Sequence, residues 1–548
     1  MWELHLLSRE ILLHAAGDEN TLATPQGLFQ MINHIRRISE GISERMISSG
    51  DDAMRALHTL IHQQARWQYP QDEARMFRAF HIYSDPELAP IFERVTDLSV
   101  REMFFLAMGI AGAGKKKVVT STAQDYSAFG VTHEARDKFF KMAGTTLTEI
   151  RRNIEALQRD DEGWAFTWNP MEATPLINLD DHQTPIYWHP FPEFLLRRVT
   201  EGLFYDLGKG KSQLGIEFGN EYGRAFERYV LRVLFEIFDL ERFSVTGEQP
   251  YEVSGNMRHG VDAIVSDTTG NIFIESKTRR MKQGAKETAE GSTLEKSLDE
   301  LAEAVVQLYE NIDDAINGLS KWTPNGRPIY PFVVTYEDWY LFAPQVFDLL
   351  NECVRRRLEE AQLPSNLTET MPFFVTSIGE FEMAGQDIAR LGVERFCAAG
   401  MLSEHRHFKL SMLAQTAFPD ENIIRRRLLE NSWNEIFPEM QAWAGMAGQT
   451  EGWWTAISGI YELQQHTPVT RSAVGVSWDP DQRSWHCGGA GPARASNIVA
   501  GFGNRIVSAT RATSCLDLGP HSSLPRSGPD RIQFASSGAN VKLSPIFR

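Results

Sequence analysis

The chain has 548 residues, with 55 Lys and Arg against 72 Asp and Glu, for a formal net charge of −17. That length allows about two to four domains with sizeable cores, and no apolar run reaches the ~20 residues that a membrane-spanning helix needs. The acidic balance excludes a protein that coats nucleic acid over its whole surface, yet leaves basic sites open, because phosphate contacts are local.

Residues 1–160 are expected to form a mainly α-helical N-terminal domain. Leu28, Ile32, Ile35 and Ile38, and later Ile150, Ile154 and Leu157, recur at helical spacing. The first ten residues are amphipathic, carry acids early and do not resemble a secretory signal. Gly109-Ile110-Ala111-Gly112-Ala113-Gly114-Lys115 has the Gly-x-x-x-x-Gly-Lys spacing of a phosphate-binding loop. However, Lys116 stands where Ser or Thr would meet Mg²⁺, and the β-branched run 118–122 opposes the helix start that such a loop needs. The reading is a Gly-rich loop with a basic end, with an NTP site as the weaker alternative. Residues 161–200 concentrate Trp164, Trp168, Trp188, Pro170, Pro175, Pro185, Pro190 and Pro192. They are expected to be an ordered connector whose aromatics pack rather than bind ligand.

The chemistry begins at residue 219. From there a helix is expected, with Phe226, Val230, Val233 and Ile237 as its buried stripe. Glu227 shares a face with Val230 and Leu234, where a carboxylate is costly unless paired or bound to metal. Next, residues 260–265 and 271–277 read as two strands joined by the turn 267–271, with Asp262 on the first strand. Glu275 and Lys277 are two apart on the second, so they project from one face. Core packing does not call for two carboxylates and an amine together, whereas metal-dependent cleavage of a phosphodiester does. Mg²⁺ or Mn²⁺ takes hard oxygen ligands, which Asp262, Glu275 and the Ser276 carbonyl can supply, with Glu227 as an additional acid for a metal-bound water or a second metal. Lys277 cannot ligate metal while charged; its expected role is to orient the attacking water and offset transition-state charge. Leu298, Leu301, Val305, Leu308 and Ile312 then mark a further helix, on which Gln307 lies.

The order helix with Glu, strand with Asp, strand with Glu-x-Lys, helix with Gln resembles the PD-(D/E)xK nuclease superfamily over about residues 219–312. The resemblance implies an α/β fold, a restriction-endonuclease-like mixed sheet flanked by helices, here preceded by the helical N-terminal domain. It puts Asp262 and Glu275 in the place of the two acids, Lys277 in that of the lysine, Glu227 in that of the first-helix acid and Gln307 in that of the helix glutamine. Val261 stands where the family name has proline. The implied substrate is nucleic acid, with DNA ahead of RNA, in restriction, anti-phage defence or repair. A homodimer would let two sites cut two strands, and the N-terminal domain would sense a trigger or bind a protein partner. The rival is a catalytically silent nuclease fold that binds nucleic acid or serves as a scaffold.

Arg279, Arg280, Lys282 and Lys286 follow the site, where a substrate backbone would run. The triplets 355–357 and 425–427 read as solvated helix faces. His405 and His407 read as surface histidines, and His259 as a turn residue near the phosphate. Strands are expected at 329–336 and 371–378 and helices at 346–361 and 382–391, which extends the nuclease-like domain over 201–465. Residues 467–548 contain no Glu and a single lysine, Lys542; they are expected to be a flexible tail or an out-of-frame extension. Cys353, Cys397, Cys487 and Cys515 form no Cys-x-x-Cys pair. That argues against a zinc ribbon and fits a reducing cytoplasm with no membrane association.

Overall fold

The computed structural model describes residues 2–15, 24–46, 50–68, 73–114, 117–161, 163–287, 292–341, 343–421, 423–426, 428–429, 432, 437, 476–479 and 484–487. The molecule is mixed α/β. Its main sheet has five strands in the order Phe374–Ser377, Ile329–Thr335, Asn271–Lys277, Ala263–Ser266 and Ser244–Gly247. The first three run parallel; the last two are added antiparallel. Ile329–Thr335 is buried along almost its whole length, as a central parallel strand covered on both faces must be. The turn into Asn271–Lys277 is fixed by Asp267, whose Oδ1 accepts from the backbone N–H groups of Thr269 and Gly270 at 2.7 and 2.9 Å. Gly270 is needed there, because a Cβ would meet Val393 Cγ1 at 2.9 Å.

Helices cover both faces of this sheet. Ser292–Ile316 and Pro344–Glu360 pack on Val261, Phe273 and Val333. Gly219–Ile237 and Ile378–Leu391 pack on Ala263, Val265, Ile272 and Ile274. Alternation along each strand divides the apolar residues between these two cores. Among the described residues, no helix is long and apolar enough to cross a membrane.

The core around Ile272 and Ile274 does not end at residue 201. It continues through Met76, Phe77, Phe104 and Met108 of the helices Glu73–Tyr83 and Val100–Gly114. Buried charge joins the same elements. Arg78 donates to both oxygens of Glu382 at 3.1 and 2.7 Å, and the Tyr229 hydroxyl donates to Glu382 at 2.8 Å. Arg228 grips Asp85 through two bonds of 2.7 Å.

Residues 161–200 are more than a connector. Leu176–Asn178 and Ile186–Trp188 join Val119–Ser121 and Gly144–Thr146 in a four-stranded sheet. Trp164 and Phe191 fill a third core with Leu6, Ile11 and Ile150. Gly109–Gly114 is not a loop either, but the buried last turns of the helix Val100–Gly114. Small residues suit that position, since a Cβ on Gly114 would meet His189 Cε1 at 2.7 Å. A helix running toward a strand reverses the polarity of a phosphate-binding loop. In the region expected as a structureless tail, Val476–Asp479 and Ser484–Cys487 pair as antiparallel strands. The remainder of 467–548, and residues 438–465 of the expected nuclease-like domain, lie outside the described residues.

Candidate active site

The sheet register brings the two acids together. Ala263 pairs with Ile274, so Asp262, one residue earlier, lies alongside Glu275. Asp262 is not itself within the strand, which starts at Ala263; it is the last residue before it, held because its Oδ2 accepts from the Ser276 backbone N–H at 2.6 Å. Glu275 is 2% exposed. Glu275 and Lys277 project to the same side as Phe273, toward the helix that carries Gln307. Lys277 Nζ donates to Glu275 Oε1 at 2.6 Å and to Gln307 Oε1 at 3.1 Å. Glu275 Oε2 is buried and has no hydrogen-bond partner among the described residues.

Electrostatics mark the cluster as strained. Burial first, then repulsion from Glu275 and Glu227, pushes the Asp262 carboxyl well above the ordinary aspartate range. Burial also raises Glu275, although Lys277 pulls the other way. Glu227 is half-buried on the helix Gly219–Ile237 and is raised by burial and by Glu248. Burial works against the Lys277 ammonium, but Glu275, Asp262 and Glu227 together outweigh it and hold the lysine charged. Acids that repel one another around one ammonium lack positive charge.

That deficit fits a divalent cation. Among the described residues, no group of three or more His, Cys, Asp or Glu side chains is gathered as a ready-made cage. A carboxylate pair with one orphaned oxygen matches a cation such as Mg²⁺ that keeps several waters and uses one or two carboxylates. Asp262 and Glu275 would hold it. The Ser276 N–H is engaged by Asp262, which ties the backbone at Ser276 to the same spot.

Two features were not legible in the sequence. Glu248, just past the strand Ser244–Gly247, faces the cluster closely enough to raise both Glu227 and Glu275. His259 Nδ1 lies 2.8 Å from Glu248 Oε1, so His259 is tied to the acidic rim. Only the antiparallel pairing of Ser244–Gly247 with Ala263–Ser266 brings Glu248 here, and no local spacing signals that.

The basic residues after the site are all engaged. Arg280 is partly buried, pairs with Glu337 at 2.7 Å and stacks over Phe204 at 4.1 Å. Lys286 also meets Glu337, at 3.5 Å. Lys282 pairs with Glu300 at 2.6 Å, and Arg279 with Glu303 at 3.1 Å. The sequence placed all four along a phosphate backbone, whereas Arg280 is turned to Glu337 and Phe204. Within the two triplets, Arg357 and Arg356 both hold Asp299, and Arg425 holds Asp387, so these three are bound to acids rather than simply solvated. His405 hydrogen-bonds the Ala399 carbonyl at 2.9 Å, while His407 packs edge-on against Phe347.

No protein-family model matches the chain, and neither does any curated protein or solved structure.

Proposed function

We propose that the chain is a metal-dependent nuclease of the restriction-endonuclease-like type, with DNA as the preferred substrate. The observation that carries this reading is Lys277 Nζ lying 2.6 Å from Glu275, on a strand end beside Asp262. The order of elements supports it: the helix with Glu227, the strands behind Asp262 and Glu275, and the helix with Gln307 surround a mixed sheet in the sequence that the PD-(D/E)xK resemblance implies.

A bound Mg²⁺ supplies Lewis-acid polarisation of the scissile phosphate and a more acidic water. The residues do the rest. Asp262 and Glu275 would hold the cation as carboxylates, its charge offsetting their mutual repulsion. Lys277 keeps its charge and offsets the negative charge that develops on the phosphate. Gln307 holds the ammonium in place, and Glu227 would serve as the additional acid that holds a metal-bound water.

The second reading, a silent nuclease fold that binds or scaffolds, is favoured by one observation: Arg279, Arg280, Lys282 and Lys286 are all paired with acids. One experiment separates the two. Purified protein is assayed on plasmid, linear DNA and RNA with Mg²⁺, Mn²⁺ or EDTA, beside Lys277→Ala and Asp262→Ala. Metal-dependent cleavage that falls about 10²–10³-fold or more in both variants is expected. Equal cleavage by wild type and variants would sink the assignment, and no cleavage on any substrate would favour the silent fold.

A further inference from the structure

A cavity of about 1090 Å³ lies between the N-terminal helices and the main sheet, apart from the acidic cluster. Its walls come from Gly50–Gln68, Glu73–Tyr83, Pro192–Thr200 and Leu203–Leu214 on one side, and from residues 280–287, 336–340 and 377–386 on the other. Its charge is opposite to that of the chain. Among the described residues that line it are eleven Lys and Arg side chains against eight Asp and Glu, in a protein of net charge −17. Such a basic concavity in an acidic surface focuses the field on small anions.

Two parts of the wall have distinct chemistry. In the first, three guanidinium groups converge on one carboxylate: Arg197, Arg66 and Arg75 lie 2.8, 3.1 and 3.8 Å from Glu201. Guanidinium forks match phosphate oxygens. In the second, aromatic rings are left open. Trp168 is 48% exposed and Tyr205 59% exposed, although large aromatics are normally covered. Arg280 sits over the Tyr205 ring at 5.6 Å. Lys209, 65% exposed, lies one helical turn beyond Tyr205 on the same wall.

We propose that this cavity binds a nucleoside polyphosphate, with its phosphates among Arg66, Arg75 and Lys209 and its base stacked on Trp168 and Tyr205. A lone phosphate would leave most of the volume empty; a nucleotide is of the size that pockets of ~300–1,000 Å³ hold, and such pockets favour the junction between layers. The site does not rest on the nuclease reading. It is nonetheless adjacent to the acidic cluster: Arg280 is three residues past Lys277, and the Tyr336 backbone N–H donates to the Lys277 carbonyl at 3.0 Å. An occupant therefore touches the segments that leave the strand ends carrying Lys277 and Thr335.

The test uses the full chain carrying Lys277→Ala, in EDTA, so that phosphate cannot be held by metal at the acidic cluster. ATP, adenosine, tripolyphosphate and a short deoxythymidine oligonucleotide are titrated while tryptophan fluorescence and thermal midpoint are followed. ATP is expected to bind more tightly than adenosine and tripolyphosphate by at least about tenfold each, since each lacks one half of the recognition. Trp168→Ala with Tyr205→Ala is expected to weaken ATP about tenfold or more, as is Lys209→Glu, the latter with the unliganded thermal midpoint unchanged because Lys209 is 65% exposed. Four outcomes would overturn the proposal: no binding by ATP; adenosine equal to ATP; tripolyphosphate equal to ATP with no effect of the aromatic variants; or binding of the oligonucleotide alone, which would make the cavity a strand groove.

Discussion

Gln307 Oε1 accepts a hydrogen bond from Lys277 Nζ at 3.1 Å, while the same ammonium holds Glu275 Oε1 at 2.6 Å. The lysine is thus fixed from two elements, its own strand and the helix Ser292–Ile316. Removing the glutamine leaves the charge but frees its position. Gln307→Ala is expected to lower cleavage about 10–100-fold, as loss of a supporting partner does, with the melting temperature almost unchanged because Gln307 is only half-buried. Steady-state kinetics with a parallel melting curve checks both halves.

Asp262 and Glu275 destabilise each other when neither is neutralised. Asp262→Asn keeps an oxygen that can accept from the Ser276 N–H and removes the repulsion. In EDTA the variant is expected to be about 1 kcal/mol more stable than wild type while losing cleavage, the usual trade between stability and an activated site. Urea denaturation of both proteins measures it, and a less stable variant would contradict the account.

His189 is fully buried, and both ring nitrogens lack hydrogen-bond partners among the described residues. Burial holds its pKa down to about 4 from 6.5. Between those values the folded chain binds fewer protons than the unfolded one, so stability falls as pH falls through that window. The contribution is about 3 kcal/mol from neutral pH to pH 4. His189→Gln is expected to flatten this part of the pH–stability curve, which denaturation at half-unit pH steps would reveal.

Glu382 is the shared acceptor of Arg78 and Tyr229 in a buried position. Glu382→Ala leaves the Arg78 guanidinium buried without its partner, and is expected to cost about 3–5 kcal/mol. Replacing Arg78 by Met in the same chain should recover much of the loss, because no charge is then stranded. A double-mutant cycle in denaturant gives the coupling directly.

Four of the five strands of the main sheet were readable, Ser244–Gly247 being the exception, from the turn at Asp267–Gly270, the β-branched run of Ile329–Thr335, and the apolar faces of Gly219–Ile237 and Ser292–Ile316. Glu227, Asp262, Glu275, Lys277 and Gln307 do come together, since strand alternation and helix period fix which way each points. What was not readable depended on distant pairing. Glu248 reaches the cluster through one antiparallel pairing, and the strands at Leu176–Asn178 and Ile186–Trp188 are three residues each, too short to show a period. Gly109–Gly114 misled because glycine suggests a loop, whereas here its missing side chain admits His189. The basic run after Lys277 misled for a different reason: charge spacing says nothing about acids such as Glu337 and Glu300 that tertiary folding brings alongside.

The Arg78–Glu382 bond spans 304 positions of chain. At about 5–20 residues per second of synthesis, the helix Glu73–Tyr83 emerges some 15–60 s before the partner that neutralises its arginine. Met76, Phe77, Phe104 and Met108 share a core with Ile272 and Ile274, which are also made well over a hundred positions later. A growing chain therefore carries an unfinished apolar surface, and an arginine without its acid, until the later strands and the Glu382 helix follow.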